Sequence, residues 1–131
     1  MDRDQGSGYQ PLTLAALAEL LAEVDDVLRW RLVAEFLEEY RWEQPGTRVD
    51  LLVEEPRGTG DQRWDVFLAA LAEYLAARDG LAAAEWTESR ALRRFWFPFN
   101  TPAARVDAVV HAPAAFQRRG VYVAPQELMV A

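Results

Sequence analysis

Leu14, Leu17, Leu20, Leu21 and Val24 recur at spacings of three and four through LTLAALAELLAEV, after Pro11 and Thr13, and this predicts an amphipathic helix. Asp25 and Asp26 supply a cap for a second helix, VLRWRLVAEFLEEYRW. There Trp30, Val33, Ala34, Leu37 and Tyr40 form one stripe and Leu28, Leu32 and Phe36 widen it, so the helix should be largely buried. EQPGT interrupts the period, and Thr47 with Asp50 three residues on resembles a capping box before a short helix, RVDLLVEE, stopped by Pro56. After the loop PRGTG, Asp61 caps the most regular helix, QRWDVFLAALAEYLAARD. Its core face is Trp64, Phe67, Leu68, Leu71, Tyr74 and Leu75, and Gly80 takes the C′ position.

Beyond Gly80 the pieces shorten to LAAAEW and a Thr87-capped TESRALRRFWFPF. Thr101 followed by Pro102 is a strong helix start, because proline at the first helical position lacks only an N–H that has no partner there. PAARVDAVVHA continues from it, with Val106, Val109 and Val110 expected inward. Pro113 opens another turn, AAFQRR, ended by Gly120; VYV reads as a short extended segment before a C-terminal turn, APQELMVA. The expected fold is mainly α, a compact multi-helix domain of about five to seven helices with one short extended segment near the C-terminus. Residues 1–10 read as a flexible leader and 11–131 as one helical domain with a subdomain seam near residue 80.

Composition narrows the function. A chain of 131 residues, 51% hydrophobic, is long enough to bury one core and too apolar for disorder. The absence of cysteine excludes disulfides, thiolate metal sites and a cysteine nucleophile. MDRDQGSGYQP lacks the basic start and apolar run of a signal peptide, and no stretch approaches the roughly 20 apolar residues that span a bilayer. A cytoplasmic protein without a membrane partner is expected. Lysine and isoleucine are missing while arginine, alanine and leucine abound, a bias that suggests the GC-rich coding of a high-GC bacterium. Every side-chain cation but histidine is then a guanidinium suited to forked pairing with carboxylate or phosphate.

Charge is uneven. Residues 1–79 hold 17 acids against 8 arginines, a net of −9, and residues 80–131 hold 4 acids against 6 arginines, a net of +2. Such a chain favours basic partners and disfavours non-specific nucleic-acid binding unless the C-terminal arginines gather on one face.

Little here suggests catalysis. His111 ends a predicted helix without a metal-ligand pair in HxxxH or HxxE spacing, so it reads as a helix-terminal cation. Ser7 lies in the leader and Ser89 in a predicted helix start, neither in a GxSxG setting. The adjacent acids Asp25-Asp26, Glu38-Glu39 and Glu54-Glu55 point about 100° apart on a helix and do not converge. RGTGDQ lacks the lysine of a P-loop and the third glycine of a dinucleotide fingerprint. No catalytic residue, metal or cofactor is expected.

Partner binding is the better reading, and three groups of residues suggest it. Glu35, Glu38, Glu39 and Glu43 look like the outer face of the second helix. Arg93, Arg94, Phe95, Trp96, Phe97 and Phe99 form the densest basic and aromatic cluster, of a kind that serves core packing, protein hot spots or base stacking. Arg118 and Arg119 either hold an acidic partner or phosphate or complement a helix C-terminus.

FWFPFNTPAARVDAVVHAPAAFQRRGVYV, spanning residues 95–123, resembles antitoxins of nucleotidyltransferase-type toxin–antitoxin pairs in high-GC bacteria. The marks are the aromatic-proline run, the PxxRxxAxxxxP spacing and the RRG ending. The resemblance implies that the protein neutralises a partner enzyme by occluding its active site, and it carries over no catalytic residue; the acidic composition suits a basic enzyme. Many such antitoxins also bind DNA, but the N-terminal helices here lack a basic recognition face. The expected function is therefore a non-catalytic, antitoxin-like interaction protein. The alternatives are a nucleic-acid-binding regulator using Arg90, Arg93, Arg94, Arg105, Arg118 and Arg119, and an enzyme using His111 with a nearby carboxylate.

Overall fold

The computed structural model describes residues 11–128. The leader expected over residues 1–10 and the last three residues of the expected C-terminal turn lie outside the described residues. Six α-helices are present among the described residues: α1 Leu14–Leu21, α2 Asp26–Arg41, α3 Pro45–Val53, α4 Gln62–Arg78, α5 Pro102–His111 and α6 Ala114–Gln117. Two 3₁₀ turns, Glu85–Thr87 and Pro125–Leu128, complete the order. The mainly α expectation holds, and Val121 of the VYV segment makes one isolated parallel bridge with Trp96.

Helix α4 is the axis of the core. Trp64, Phe67, Leu68 and Leu71 are completely buried, and Val66, Ala69, Ala70 and Ala72 bury the remaining sides of the same turns, so neighbours must cover it all round. Asp61 caps it by accepting from the Arg63 N–H at 3.0 Å. At the other end Leu81 N–H donates to Ala76 O and Gly80 N–H to Ala77 O, a Schellman closure that needs the left-handed Gly80, φ 72°. Helices α1 and α3 pack against α4 from the N-terminal half, while α6 and the Glu85–Thr87 turn close it from the C-terminal half. One hydrophobic cluster draws on residues from both sides of residue 80, from Leu14 to Leu128.

Three local expectations are corrected. Helix α3 begins at Pro45, the proline serving as an opening residue, so Thr47 is already helical and no Thr47 capping box forms. The Thr87-capped piece is not a helix: Thr87 donates its hydroxyl to Ala84 O at 2.7 Å inside a 3₁₀ turn, and residues 88–100 run in turns and bends. On α5, Thr101 does cap Ala104 N–H, at 3.2 Å, but Val106, Val109 and Val110 point outward and Ala108 alone is buried. A small residue allows closer approach to the body than a valine row, so alanine and not valine marks the inward side.

Candidate functional site

The run 93–99 divides between core and surface. Trp96 packs edge-on to Trp64 at 5.5 Å and lies 6.4 Å from Trp30, while Phe99 lies 4.9 Å from Trp30. Trp96 is fixed by its backbone as well: its N–H donates to Gly120 O and its carbonyl accepts from Tyr122 N–H, each at 2.8 Å. Gly120 permits this closeness, with φ 86° and a Cβ that would sit 3.3 Å from Leu92. Trp96 and Phe99 therefore wedge the core. Phe95 is exposed and touches Tyr122; Phe97 stacks on the same ring at 5.2 Å and carries the Arg105 guanidinium on its face at 4.5 Å. Arg93 and Arg94 are exposed and make no ion pair with a described residue.

The arginine pair at 118–119 also divides. Arg119 is only 3% exposed, and it donates to Glu73, to Ala115 O at 3.0 Å and to Thr87 O at 2.9 Å. The exposed Arg118 reaches the same Glu73 carboxylate. Burial pushes the Glu73 carboxyl up, but bonds and charges from both guanidiniums outweigh it and hold the group below its ordinary range. The acid that this pair grips belongs to α4 of the same chain, which corrects Arg119 as a residue open to a partner.

Arg90 is similarly engaged, donating to Asp65 O at 3.0 Å, Pro56 O at 2.9 Å and Glu55 at 3.1 Å while lying over Trp86. Of the six arginines named for nucleic acid, Arg93, Arg94 and Arg105 remain outward without a carboxylate, too few for an extended phosphate track.

The outer face of α2 is where the glutamates fall. Glu35 and Glu39 are exposed, Glu38 and Glu43 half-buried. Glu38 accepts from the Trp42 indole N–H at 2.9 Å and lies 3.5 Å from Arg41. Trp42, which follows the helix, is 73% exposed. The ring is held on its rim by the Glu38 carboxylate and carries the Arg41 guanidinium over one face at 5.4 Å, yet most of its surface stays exposed, a feature that the repeating pattern alone hid. Its position seven after Glu35 and four after Glu38 was the available signal.

His111 pairs with Asp107 across one turn of α5 at 2.8 Å and is exposed. Asp107 also receives Gln126, and the His111 hydrogen bond, then the Gln126 one, hold its carboxyl below the usual range. No serine, second histidine or metal-competent cluster joins them among the described residues. A pocket of about 270 Å³ lies between Leu37, Tyr40, Arg48, Arg78 and Asp79. Three of its polar groups bind one another: Tyr40 donates to Asp79 at 2.8 Å and Arg48 to Asp79 at 3.0 Å. Burial and then the Asp79 bond push the Tyr40 hydroxyl well above its ordinary range, so it is no ready acid or base.

Compared with family models, curated proteins and solved structures, the chain matches none. No helix among the described residues is long and apolar enough to cross a membrane.

Proposed function

We propose that this is a non-catalytic interaction protein that binds a basic cognate protein through the outer face of α2. The observation that carries this reading is the exposure of Trp42, bonded to Glu38, at the end of the helix that presents the exposed Glu35 and Glu39. An exposed aromatic anchor bonded to one carboxylate, on a helix face that also presents two exposed glutamates, suits a desolvated centre with an acidic rim, and the rim selects a partner of opposite sign. The net charge of −7 steers the same kind of partner at long range.

The resemblance of residues 95–123 to antitoxins of nucleotidyltransferase-type pairs makes that partner a toxin of this type, neutralised by occlusion in the cytoplasm. The direct test is binding of a purified candidate toxin by the Glu35→Lys/Glu39→Lys variant, with Trp42→Ala beside it. Each change should weaken binding while leaving the melting temperature within a few degrees. Undiminished affinity in both would remove α2 as the contact.

A further inference from the structure

We propose that the valine face of α5 is a second docking surface, whose occupant is a short apolar segment of another protein rimmed by carboxylates. This surface is separate from the glutamate face of α2 and calls for a partner segment of the opposite charge.

Val106, Val109 and Val110 follow the i, i+3, i+4 spacing that places them in one row. They are 65, 53 and 65% exposed, on a helix that buries only Ala108. With Phe97 and Arg105 they line a groove of about 330 Å³. Its wall is held in place before any partner arrives, since Phe97 is stacked on Tyr122 beneath the Arg105 guanidinium. Isolated surface valines are ordinary, whereas a contiguous apolar row against a fixed aromatic wall marks a binding face. At ten residues α5 is about 15 Å long, the reach of a few helical turns or one strand. That suits a docked segment better than a standard interface, which needs about 800 Å² from each side.

Charge selects the occupant. Arg105 bonds only the neutral Asn100, and Arg93 and Arg94 precede Phe95 in the same loop without an ion pair to a described residue. The acid of α5, Asp107, already serves His111 and Gln126. At physiological salt charges are screened over about 8 Å, so a docked segment senses first the Arg105 guanidinium that lines the groove. A second copy related by a two-fold axis would set this basic face against itself. Nucleic acid would gain nothing from the valines.

The test titrates the full-length protein into two labelled amphipathic peptides that share a leucine face, one flanked by glutamates and the other by lysines, at physiological salt. The glutamate peptide should bind about fivefold tighter, as the Arg105 guanidinium on the rim implies. Val106→Asp/Val110→Asp should abolish that binding, and Arg94→Glu/Arg105→Glu should invert the preference. The Glu35→Lys/Glu39→Lys variant should bind the glutamate peptide as the parent does, which keeps this surface distinct from α2. Equal affinity for the two peptides would overturn the proposal. So would insensitivity to the valine changes, loss of binding in the α2 variant, a dimer abolished by Val110→Asp, or tighter binding of a single-stranded oligonucleotide that Arg94→Glu removes.

Discussion

Arg119 and Glu73 are joined by an ion pair that fastens the C-terminal segment to the central helix, with the guanidinium almost wholly enclosed and also bonded to the carbonyls of Ala115 and Thr87. Removing the Glu73 charge leaves the enclosed Arg119 guanidinium with its carbonyl bonds but no counter-charge. Glu73→Gln should therefore destabilise the protein by about 3 kcal/mol in chemical denaturation. Arg118→Ala, at an exposed side chain on the same carboxylate, should cost under about 1 kcal/mol. Similar losses in the two variants would show that burial does not distinguish them.

The same pair sets a pH dependence. Because the folded Glu73 carboxyl sits below its ordinary 4.5, its stabilisation is fully present above that value and is lost as pH falls through the folded one. Between neutrality and the ordinary carboxylate range the contribution should be flat. Acid titrations of stability should show a shallower loss in Glu73→Gln than in the parent below about pH 5. Parallel curves would assign the acid sensitivity elsewhere.

Trp96 and Trp42 should respond oppositely to truncation. Trp96 is packed against Trp64 and Trp30, so Trp96→Ala should cost about 3 kcal/mol. Trp42→Ala, at a largely exposed ring, should change stability by no more than about 0.5 kcal/mol. Thermal melts of the two variants decide whether the core and surface tryptophans have been told apart correctly.

Helix caps give a sharper local comparison. Thr101→Ala removes the acceptor for Ala104 N–H and should cost about 1 kcal/mol. Thr47→Ala removes no cap, because α3 already begins at Pro45, and should be close to neutral. An equal cost at the two threonines would restore the capping box at Thr47.

Much of the helical frame was legible from spacing. The Asp25, Asp61 and Thr101 caps and the Gly80 closure lie where the sequence predicts them, because these residues act through bonds to neighbours within a few positions. What escaped was direction and long-range pairing. Both sides of α5 are apolar, alanine on one and valine on the other, so periodicity does not choose the inward side; only the closeness of Ala108 to the body does. Residues 88–100 follow Thr87 and include a run of good helix formers, yet the backbone of Trp96 is taken by Gly120 and Tyr122, more than twenty positions on. The fate of Arg119 was hidden for the same reason, since Glu73 lies 46 residues away. Of the expected partner-binding residues, Glu35, Glu39, Arg93, Arg94 and Arg118 are on the surface, while Glu38, Glu43, Phe97 and Trp96 are half-buried, Trp96 packed against the aromatic core.

The valine face should be dispensable for folding. Val106→Asp and Val110→Asp each replace an outward side chain and should shift stability by no more than about 0.5 kcal/mol. Asp at Ala108, the buried position of the same helix, should destabilise by several times that amount. Comparable damage from all three would mean that α5 buries its valines.

The central claim, that the protein works by holding another protein on the face of α2, is tested most directly by tagged capture from the cells that encode it. The wild-type chain and the Glu35→Lys/Glu39→Lys variant are compared, each with and without nuclease. A near-stoichiometric, nuclease-resistant basic protein retained by the wild type and lost from the variant is the predicted result. Equal retention by both chains, or recovery of nucleic acid that nuclease removes and nothing else, would contradict it.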